Sequence, residues 1–207
     1  HHLQARYSHK FNESLEWSNT FNYTRGDGYY ENYKADTKFS KYGVQAPEAS
    51  IKKSDFIIQQ AMLNDYYAFN SALNFANNNL KASAAVSYGY YDGNHFGDVL
   101  WCKHTTVEEP FRWYKNNGLK KDFSTYARAE WNPTHKLTIF ADLQYRGVSY
   151  KFDGPDKDFA VLNWEKKYNF FNPKAGFTYA PGDNSRIYAS VAIANREPSR
   201  SDIKESI

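Results

Sequence analysis

The sequence predicts an all-β fold: an antiparallel segment of a transmembrane β-barrel, with eight long strands in four hairpins. The first observation is a composition that is polar on average yet aromatic. Only 41% of residues are apolar, but 18% are Phe, Trp or Tyr. A barrel has this composition because its lumen and loops face water while alternate strand positions face lipid. The other observations are a period-two alternation and a regular succession of short and long connections.

The composition also excludes several other classes of protein. Disordered chains contain few aromatic residues, and no run of about 18 apolar residues is present to form a membrane-spanning helix. The single cysteine, Cys102, excludes an intrachain disulfide framework and a cysteine-rich zinc site. The net charge of +3 is too small to indicate a nucleic-acid partner.

Alternation identifies the strands, most clearly in the segment that begins at Leu137. Leu137, Ile139 and Leu143 lie on one face, whereas Asp142 and Arg146 lie on the other. This is the period of a strand with one apolar face. Each strand has roughly the nine residues or more that a tilted strand needs to cross a bilayer. The predicted strands are residues 3–11, 15–23, 67–75, 80–88, 123–131, 137–145, 171–179 and 187–193.

Turn-forming residues join these strands into four hairpins. In chain order the turns are residues 12–14, 77–79, 132–135 and 181–184, which are rich in Asn, Pro, Gly or Asp. The connections between hairpins are long, at residues 26–55, 91–119 and 147–167. Outer-membrane barrels have short periplasmic turns and longer extracellular loops. Both chain ends are therefore predicted on the extracellular side, so the sequence is predicted to be a segment of a larger barrel.

The polar faces of the predicted strands carry charges of both signs. An arginine that faces lipid near the middle of the bilayer costs roughly 2–4 kcal/mol. These side chains are therefore predicted to face the lumen and to pair across strands. Asn19 and His9 are the exceptions, because they fall on the apolar faces. The predicted lumen charges are Arg6, Glu16, Arg128, Glu130, Asp142 and Arg146.

Residues of catalytic type do not form a recognisable site. Two histidines lie near carboxylates, but neither metal-ligand spacing nor a Gly-x-Ser-x-Gly nucleophile motif is present. Residues 26–28, Gly-Asp-Gly, are predicted to be a turn. We therefore expect no enzyme activity, no catalytic residue, no metal and no cofactor. The carboxylate neighbours are Asp92 and Asp98 for His95, and Glu108 and Glu109 for His104.

Ligand binding is better supported, because the predicted outer loops combine aromatic rings with cationic side chains. Rigid amphipathic rings and charged donors suit sugars and anionic chelates. The alternative is an aromatic girdle together with loop packing, and Trp101 is the clearest girdle candidate. The candidate ligand-binding residues are Tyr29, Tyr30, Tyr91, His95, Trp101, Arg112, Trp113 and Tyr114.

Three segments near the C-terminal end carry a family resemblance. Residues 170–179 contain Asn172-Pro173-Lys174-Ala175-Gly176, residues 187–192 contain Tyr188-Ala189-Ser190, and residues 195–200 read Asn-Arg-Glu-Pro-Ser-Arg. This succession resembles the TonB-dependent outer-membrane receptors, in which the arginine-x-proline segment lies at the outer loop. Residues 23–31 resemble barrel segments of receptors from the Bacteroidetes group.

The resemblance implies a location in the outer membrane of a Gram-negative bacterium and energised import of a scarce, bulky nutrient. The nutrient classes are iron chelates, cobalamins and glycans. Residues 1–207 then form a partial barrel domain without the plug domain and the remaining strands. The implied partners are outer-membrane lipid, the TonB complex through the missing plug region, the small-molecule or glycan ligand and, as an option, a surface lipoprotein.

Two other interpretations of the alternating strands stay open at this point. One is a self-contained small outer-membrane barrel that acts as an adhesin or a structural protein. The other is a soluble carbohydrate-binding β-sandwich, because short alternating strands with turn signals also occur in that fold.

Overall fold

The structure, a computed structural model, describes residues 1–107, 111–199 and 202–203. Within these residues the structure contains eight strands and a short 3₁₀ helix, Phe39–Lys41. The strands are β1 (His2–Lys10), β2 (Leu15–Lys38), β3 (Lys53–Ala76), β4 (Leu80–Cys102), β5 (Phe111–Thr134), β6 (Leu137–Asp153), β7 (Trp164–Gly182) and β8 (Ser185–Ala192).

All eight strands belong to one antiparallel sheet, and each pairs with its neighbours in the sequence. β1 and β8 form the two edges of this sheet. The prediction of eight antiparallel strands is confirmed. Because a sandwich needs two stacked sheets, the β-sandwich alternative is wrong. Among the described residues, no helix has the length and apolar character needed to cross a membrane.

The predicted bounds of the long loops are wrong. β2 to β7 continue as paired strands through most of residues 26–55, 91–119 and 147–167. Gly26 and Gly28, predicted in a turn, lie inside β2 opposite Asn64 and Met62 of β3. The backbone ladder continues there although the apolar–polar alternation has ended. The connections that remain between these strands are residues 39–52, 103–110 and 154–163.

The two ends of the sheet differ in their connections. We call the end with the longer connections the upper end and the end with the short turns the lower end. At the lower end, Asn12 Oδ1 accepts hydrogen bonds from the backbone of Ser14 and Leu15, both at 2.9 Å. Asn77 Oδ1 accepts equivalent bonds from Asn79 and Leu80, at 3.0 and 2.8 Å. Asparagine forms such turns with its own side chain, so the sequence closes these hairpins locally.

The two faces of the sheet follow from the strand pairing, because residues directly opposite each other share a face. We call the face with Trp17, Phe21 and Tyr23 the outer face and the opposite one the inner face. In the lower half, the outer face is almost entirely apolar, and we call this region the apolar band. It consists of outer-face residues from 15–23, 67–75, 82–90, 123–131, 137–145, 171–179 and 187–191.

Aromatic side chains mark the upper boundary of the apolar band, and charged ones follow directly above. Tyr23 donates a hydrogen bond to Asp65 Oδ1 at 2.6 Å, and Tyr145 donates one to Asn169 Oδ1 at 2.8 Å. A tyrosine suits such a boundary because its ring is apolar and its hydroxyl is polar. The boundary rings are Tyr23, Tyr67, Tyr90, Phe123, Tyr145 and Phe171.

Asn19 interrupts the apolar band, as the sequence predicts. It lies opposite Ser71 of β3, and the Ser71 hydroxyl accepts a hydrogen bond from Trp17 Nε1 at 2.9 Å. The break in the apolar pattern therefore coincides with a polar position on the neighbouring strand.

The predicted pairing of inner-face charges is confirmed for several of the residues in the lower half. Arg128 lies 3.7 Å from Glu130 and 3.4 Å from Asp142. Glu130 also lies 3.9 Å from Lys81 Nζ. These charges therefore compensate one another on the inner face.

The buried core lies at the upper end, on the inner face. Residues 39–52 fold over this face, and Phe56 beneath them is fully buried. Tyr42 packs edge-on against Phe56 and Trp113, with ring centroids 5.1 Å apart in both pairs. We call this cluster the cap core; it consists of Phe39, Tyr42, Val44, Phe56, Ile58, Val99, Cys102, Trp113 and Tyr114.

Candidate ligand-binding wall

Two of the upper connections, residues 39–52 and 154–163, are fastened to each other and to β5. We call these two segments the cap. Lys41 Nζ lies 4.0 Å from Asp158 Oδ1, and the Phe159 ring lies against Gly43. Gly43 has a φ of 67°, which glycine adopts without the steric penalty of a side chain.

Strand β5 anchors the cap through two side chains. Trp113 Nε1 donates a hydrogen bond to the Lys157 carbonyl at 3.3 Å. Asn116 Nδ2 donates one to the Pro155 carbonyl at 2.9 Å. Both donors lie in the buried part of the upper inner face. The cap is therefore an ordered cover over the inner face at this end of the sheet.

The eight candidate ligand-binding residues lie in strands, and their predicted location in outer loops is wrong. The reason is the extension of β2, β4 and β5 described above. The candidates are Tyr29 and Tyr30 in β2, Tyr91, His95 and Trp101 in β4, and Arg112, Trp113 and Tyr114 in β5.

Four of these residues, Tyr30, Tyr91, His95 and Tyr114, share the upper inner face. Gln60 of β3 connects two of them. The Tyr30 hydroxyl donates a hydrogen bond to Gln60 Oε1, and Gln60 Nε2 donates one to the Tyr114 hydroxyl at 3.2 Å. This relay spans β2 to β5 and fixes both rings. We call Tyr30, Gln60, Tyr91, His95 and Tyr114 the inner aromatic wall.

Glycines in β4 allow the rings of this wall to lie close to the sheet. Gly97 is opposite both Gln60 and Tyr114, and a Cβ at Gly97 would lie 2.4 Å from Tyr114 Cε1. Tyr91 covers Gly93 in the same way, with its hydroxyl 2.2 Å from the position of a Cβ. Rings that cover glycines protect the backbone and fix the register of neighbouring strands.

His95 lies at the centre of the upper inner face. It is opposite Met62 of β3 and Asn116 of β5. The Tyr91 hydroxyl lies 3.9 Å from Met62 Sδ. The wall therefore combines phenol hydroxyls, an imidazole and an amide within a mainly aromatic surface.

The other four candidates have different surroundings. Arg112 lies on the outer face, makes two hydrogen bonds to Asp98 at 2.8 and 2.9 Å, and covers the Phe96 ring at 4.2 Å. Trp113 belongs to the cap core. Tyr29 and Trp101 lie on the outer face and are exposed. Trp101 is at the upper end of β4, opposite Ile57 and well above the boundary rings.

Sequence reasoning missed an ionic network on the inner face. Arg146 is paired with Asp122 and also lies 2.7 Å from Glu197 Oε2. Lys120 Nζ lies 2.6 Å from Glu197 Oε1. Arg146 was predicted to face the lumen. The sequence could not place Glu197 beside it, because Glu197 lies outside the strands and the alternating pattern assigns it to neither face.

Glu197 reaches this network because residues 193–199 turn over the inner face after β8. The Asn195 backbone donates a hydrogen bond to Asn172 Oδ1 of β7 at 2.7 Å. Glu197 then contacts β5 and β6. Residues 195–199 therefore follow the upper end of β8 and lie against the inner face. Arg200 lies outside the described residues, as do Glu108 and Glu109, which were expected near His104.

The position of Glu197 sets its protonation. Burial by itself would raise the pKa of Glu197, but hydrogen bonds from Lys120 and Arg146 outweigh it and the pKa is lowered. Glu197 is therefore ionised at neutral pH and holds residues 193–199 against the sheet.

The described residues favour binding over catalysis. Ser54 Oγ lies 3.0 Å from His104 Nδ1 and 3.3 Å from Cys102 Sγ. Ser54 is only 2% exposed, so a substrate cannot reach its hydroxyl. No group of three or more His, Cys, Asp or Glu side chains that could hold a metal ion occurs within the part of the chain that the structure describes.

Comparison with known protein families identifies the domain. A family model described as "TonB dependent receptor-like, beta-barrel" matches residues 1–205. The chain belongs to this family. TonB-dependent receptors are transporters and not enzymes, and they are proteins of the Gram-negative outer membrane. The predicted family and the predicted barrel fold are therefore confirmed.

Solved structures share this fold. The ferric-catecholate import receptor Fiu from E. coli K12 in its open form is 15% identical, with a TM-score of 0.68 over 95% of this chain and 35% of Fiu. BauA, the ferric preacinetobactin receptor from Acinetobacter baumannii, is 12% identical, with a TM-score of 0.53 over 90% of this chain and 29% of BauA. The chain thus spans about a third of these receptors. Curated protein sequences give no significant match.

Proposed function

We propose that this chain forms part of an outer-membrane receptor that binds and imports a scarce, bulky nutrient, and that the inner aromatic wall contacts it. The nutrient classes are an iron chelate, a cobalamin or a glycan. The observation that carries the proposal is the gathering of Tyr30, Gln60, Tyr91, His95 and Tyr114 on the upper inner face, next to the cap core.

The apolar band supports the location in a membrane. Nine residues such as 15–23 rise about 27 Å along a strand and about 20 Å across a bilayer at a tilt near 40°. The outward apolar region of outer-membrane barrels is about 25 Å tall. On the outer face, charged side chains begin only above the boundary rings, so β2 to β7 extend beyond the bilayer at the upper end.

The side chains of the wall suit a large ligand with both apolar and polar groups. A tyrosine contributes a large ring with few rotatable bonds, so little conformational entropy is lost when it binds. The Tyr30–Gln60–Tyr114 relay fixes two of these rings in advance, which lowers the entropic cost of binding further.

Iron chelates are the first class to test. The solved structures with this fold are named as receptors for ferric compounds, and phenols and imidazole form hydrogen bonds with the oxygen atoms of such chelates. The chain spans about a third of the length of those receptors. The partners of the whole receptor are therefore part of the proposal. They are the TonB complex, which would act through a plug region, and an optional surface lipoprotein.

The adjacent residues Tyr30 and Tyr29 provide a matched test, because they point to opposite faces of β2. The full-length receptor carrying this chain is purified in detergent and titrated with a ferric tris-catecholate, cyanocobalamin and an oligosaccharide mixture. Binding is followed by quenching of tryptophan fluorescence. Tyr30→Ala should weaken binding of the recognised ligand about 5- to 30-fold, as expected for loss of about 1–2 kcal/mol of ring contact.

Tyr29→Ala serves as the control and should leave affinity within about twofold, because surface substitutions usually have small effects. Equal losses in both variants would show that the ligand contacts the outer face instead. Unchanged binding in Tyr30→Ala, Tyr91→Ala and His95→Ala, with the fold retained by circular dichroism, contradicts the assignment of the wall.

A further inference from the structure

The charged outer-face residues above the apolar band divide into two sectors. Strands β2 to β4 form an acidic sector, and strands β5 to β7 form a basic one. Both sectors begin directly above the boundary rings, where the membrane ends in the proposed orientation, and continue towards the upper end of the sheet. The acidic sector carries Asp27, Glu31, Asp55, Asp65, Asp92 and Asp98 with Arg25, Lys38 and Lys53, and the basic one Arg112, Lys115, Lys121, Lys151 and Lys167 with Asp153 and Glu165.

The basic sector contains a hollow directly above the boundary rings. Its floor is formed by Gly147 and Ser149 of β6, and Lys121 and Lys167 stand on either side. Lys121 is directly opposite Ser149, and Ser149 is directly opposite Lys167. The three residues therefore form a row across β5, β6 and β7, with the two lysine backbones roughly 10 Å apart.

The lower rim of the hollow is apolar and continuous with the band. Tyr88 and Phe123 line it on one side. On the other side Asn169, which accepts the hydrogen bond from Tyr145, adds an amide. The hollow thus joins a cationic upper part to an apolar lower part.

The lysines of the hollow are not neutralised by strong ion pairs. None of the carboxylates in the described residues forms an ion pair with Lys121. Lys167 lies 3.1 Å from Glu165, but both side chains are largely exposed. Exposed pairs of this kind contribute little, so Lys167 can turn to another anion.

We propose that this hollow binds the phosphate-bearing head group of an outer-leaflet lipid, with the lipid's acyl chains against Phe123 and the apolar band below. Two ammonium groups and the Ser149 hydroxyl match the charge and hydrogen-bonding capacity of a phosphate. The position at the band's boundary is where a lipid places its head group. The acidic sector on β2 to β4 repels the same group, so binding is confined to one side of the wall.

The proposal rests on the outer-membrane location proposed above, and its test is separate from nutrient binding. The full-length receptor in detergent is mixed with diphosphorylated lipid A, and retained lipid is counted by native mass spectrometry. The variant Lys121→Gln/Lys167→Gln should bind the lipid about 30-fold more weakly, from about 1 kcal/mol for each lysine near the membrane surface. Ser149→Trp, which fills the hollow without changing charge, should also reduce binding.

Lys34→Gln/Lys38→Gln removes the same charge from β2, far from the hollow, and should leave lipid binding within about twofold. Circular dichroism verifies folding in every variant. Wild-type lipid retention in Lys121→Gln/Lys167→Gln, or equal retention of dephosphorylated lipid A, overturns the proposal. Displacement of the lipid by inorganic phosphate alone also overturns it, because the hollow would then be a site for free anions. Nutrient affinity is measured in parallel, so failure of the wall and failure of the hollow remain distinguishable.

Discussion

The lower and upper halves of the sheet are formed by the same strands but place their apolar side chains on opposite faces. In the lower half each strand is apolar on the outer face and polar on the inner face, and few side chains are buried within the described residues. In the upper half the outer face is charged, and the inner face carries the cap core with Phe56 at 0% exposure. Lipid can cover the apolar side chains of the lower half, whereas the upper half must bury its own.

This difference indicates that the two halves are stabilised in different ways. The lower half depends on its surroundings, because its large apolar side chains are half-exposed in the absence of lipid. The upper half has a local core that does not require a membrane. Substitutions should therefore have opposite sensitivities to lipid in the two halves, and matched pairs can measure this.

The largest effect is expected from Phe56→Ala in the cap core. Loss of a fully buried phenylalanine should lower the free energy of unfolding by about 3–5 kcal/mol. Phe69→Ala in the apolar band should have a smaller effect, because acyl chains can fill the space. Urea titration of the receptor in phospholipid vesicles measures both; an equal loss at the two positions would contradict a self-supporting upper half.

An arginine introduced on the outer face should destabilise the lower half more than the upper half. Ala141 lies mid-band on the outer face, between Ala129 and Ala175, and Ala141→Arg should destabilise the protein by about 2–4 kcal/mol in vesicles. Gln59 lies on the upper outer face and donates a hydrogen bond to Glu31 at 3.1 Å. Gln59→Arg keeps that partner and should change stability by about 0.5 kcal/mol or less. The same urea titrations distinguish these outcomes.

The Glu197 contacts should show a smaller and pH-dependent effect. Because the pKa of Glu197 is lowered in the folded protein, its contribution is present above the ordinary glutamate pKa of 4.5 and is lost as the pH falls through the folded-state value. Glu197→Gln should weaken attachment of residues 193–199 by about 1.5–3 kcal/mol at neutral pH. Amide hydrogen exchange of residues 193–199 measures this attachment, after correction for the intrinsic pH dependence of exchange. If protection of these amides in the wild type does not decrease as Glu197 becomes protonated, the attachment does not depend on the Glu197 carboxylate.

The smallest effect is expected at an exposed ion pair of the upper half. Lys53 Nζ lies 2.5 Å from Asp36 Oδ2, but both side chains are largely exposed. Lys53→Gln should therefore change the free energy of unfolding by less than about 1 kcal/mol. Urea titrations of the wild type and the variant at low and high salt measure this change. A large decrease in the free energy of unfolding that disappears at high salt would show that the pair contributes more than its exposure indicates.

The lower half could be predicted almost completely from the sequence. Alternation located the eight strands, and Asn12 and Asn77 located two of the turns that pair them. The upper half could not be predicted in the same way. There Asp27 and Glu31 occupy outer positions while Gly26 and Gly28 occupy inner ones, so neither face is consistently apolar and the strand leaves no period-two signal.

The candidate ligand-binding residues were predicted in loops, but they lie in strands. Tyr30, Tyr91, His95 and Tyr114 share one surface, although the sequence assigned Tyr30 to one loop and the other three residues to another. Gln60 was missed, because a glutamine in an extended strand gives no signal until its neighbours are known. The glycines of β4 were a usable signal: Gly89, Gly93 and Gly97 recur at a spacing of four on one face, where tyrosine rings cover them.

The sequential order of the strands also bears on how the sheet assembles. Loop closure is least unfavourable for short loops, and the shortest connections join β1 to β2, β3 to β4, β5 to β6 and β7 to β8. We expect these four hairpins to form first and to associate afterwards through the β2–β3, β4–β5 and β6–β7 ladders. Pulse-labelled hydrogen exchange during refolding would show early protection beside Asn12 and Asn77, whereas early protection beneath the cap would indicate assembly from the opposite end.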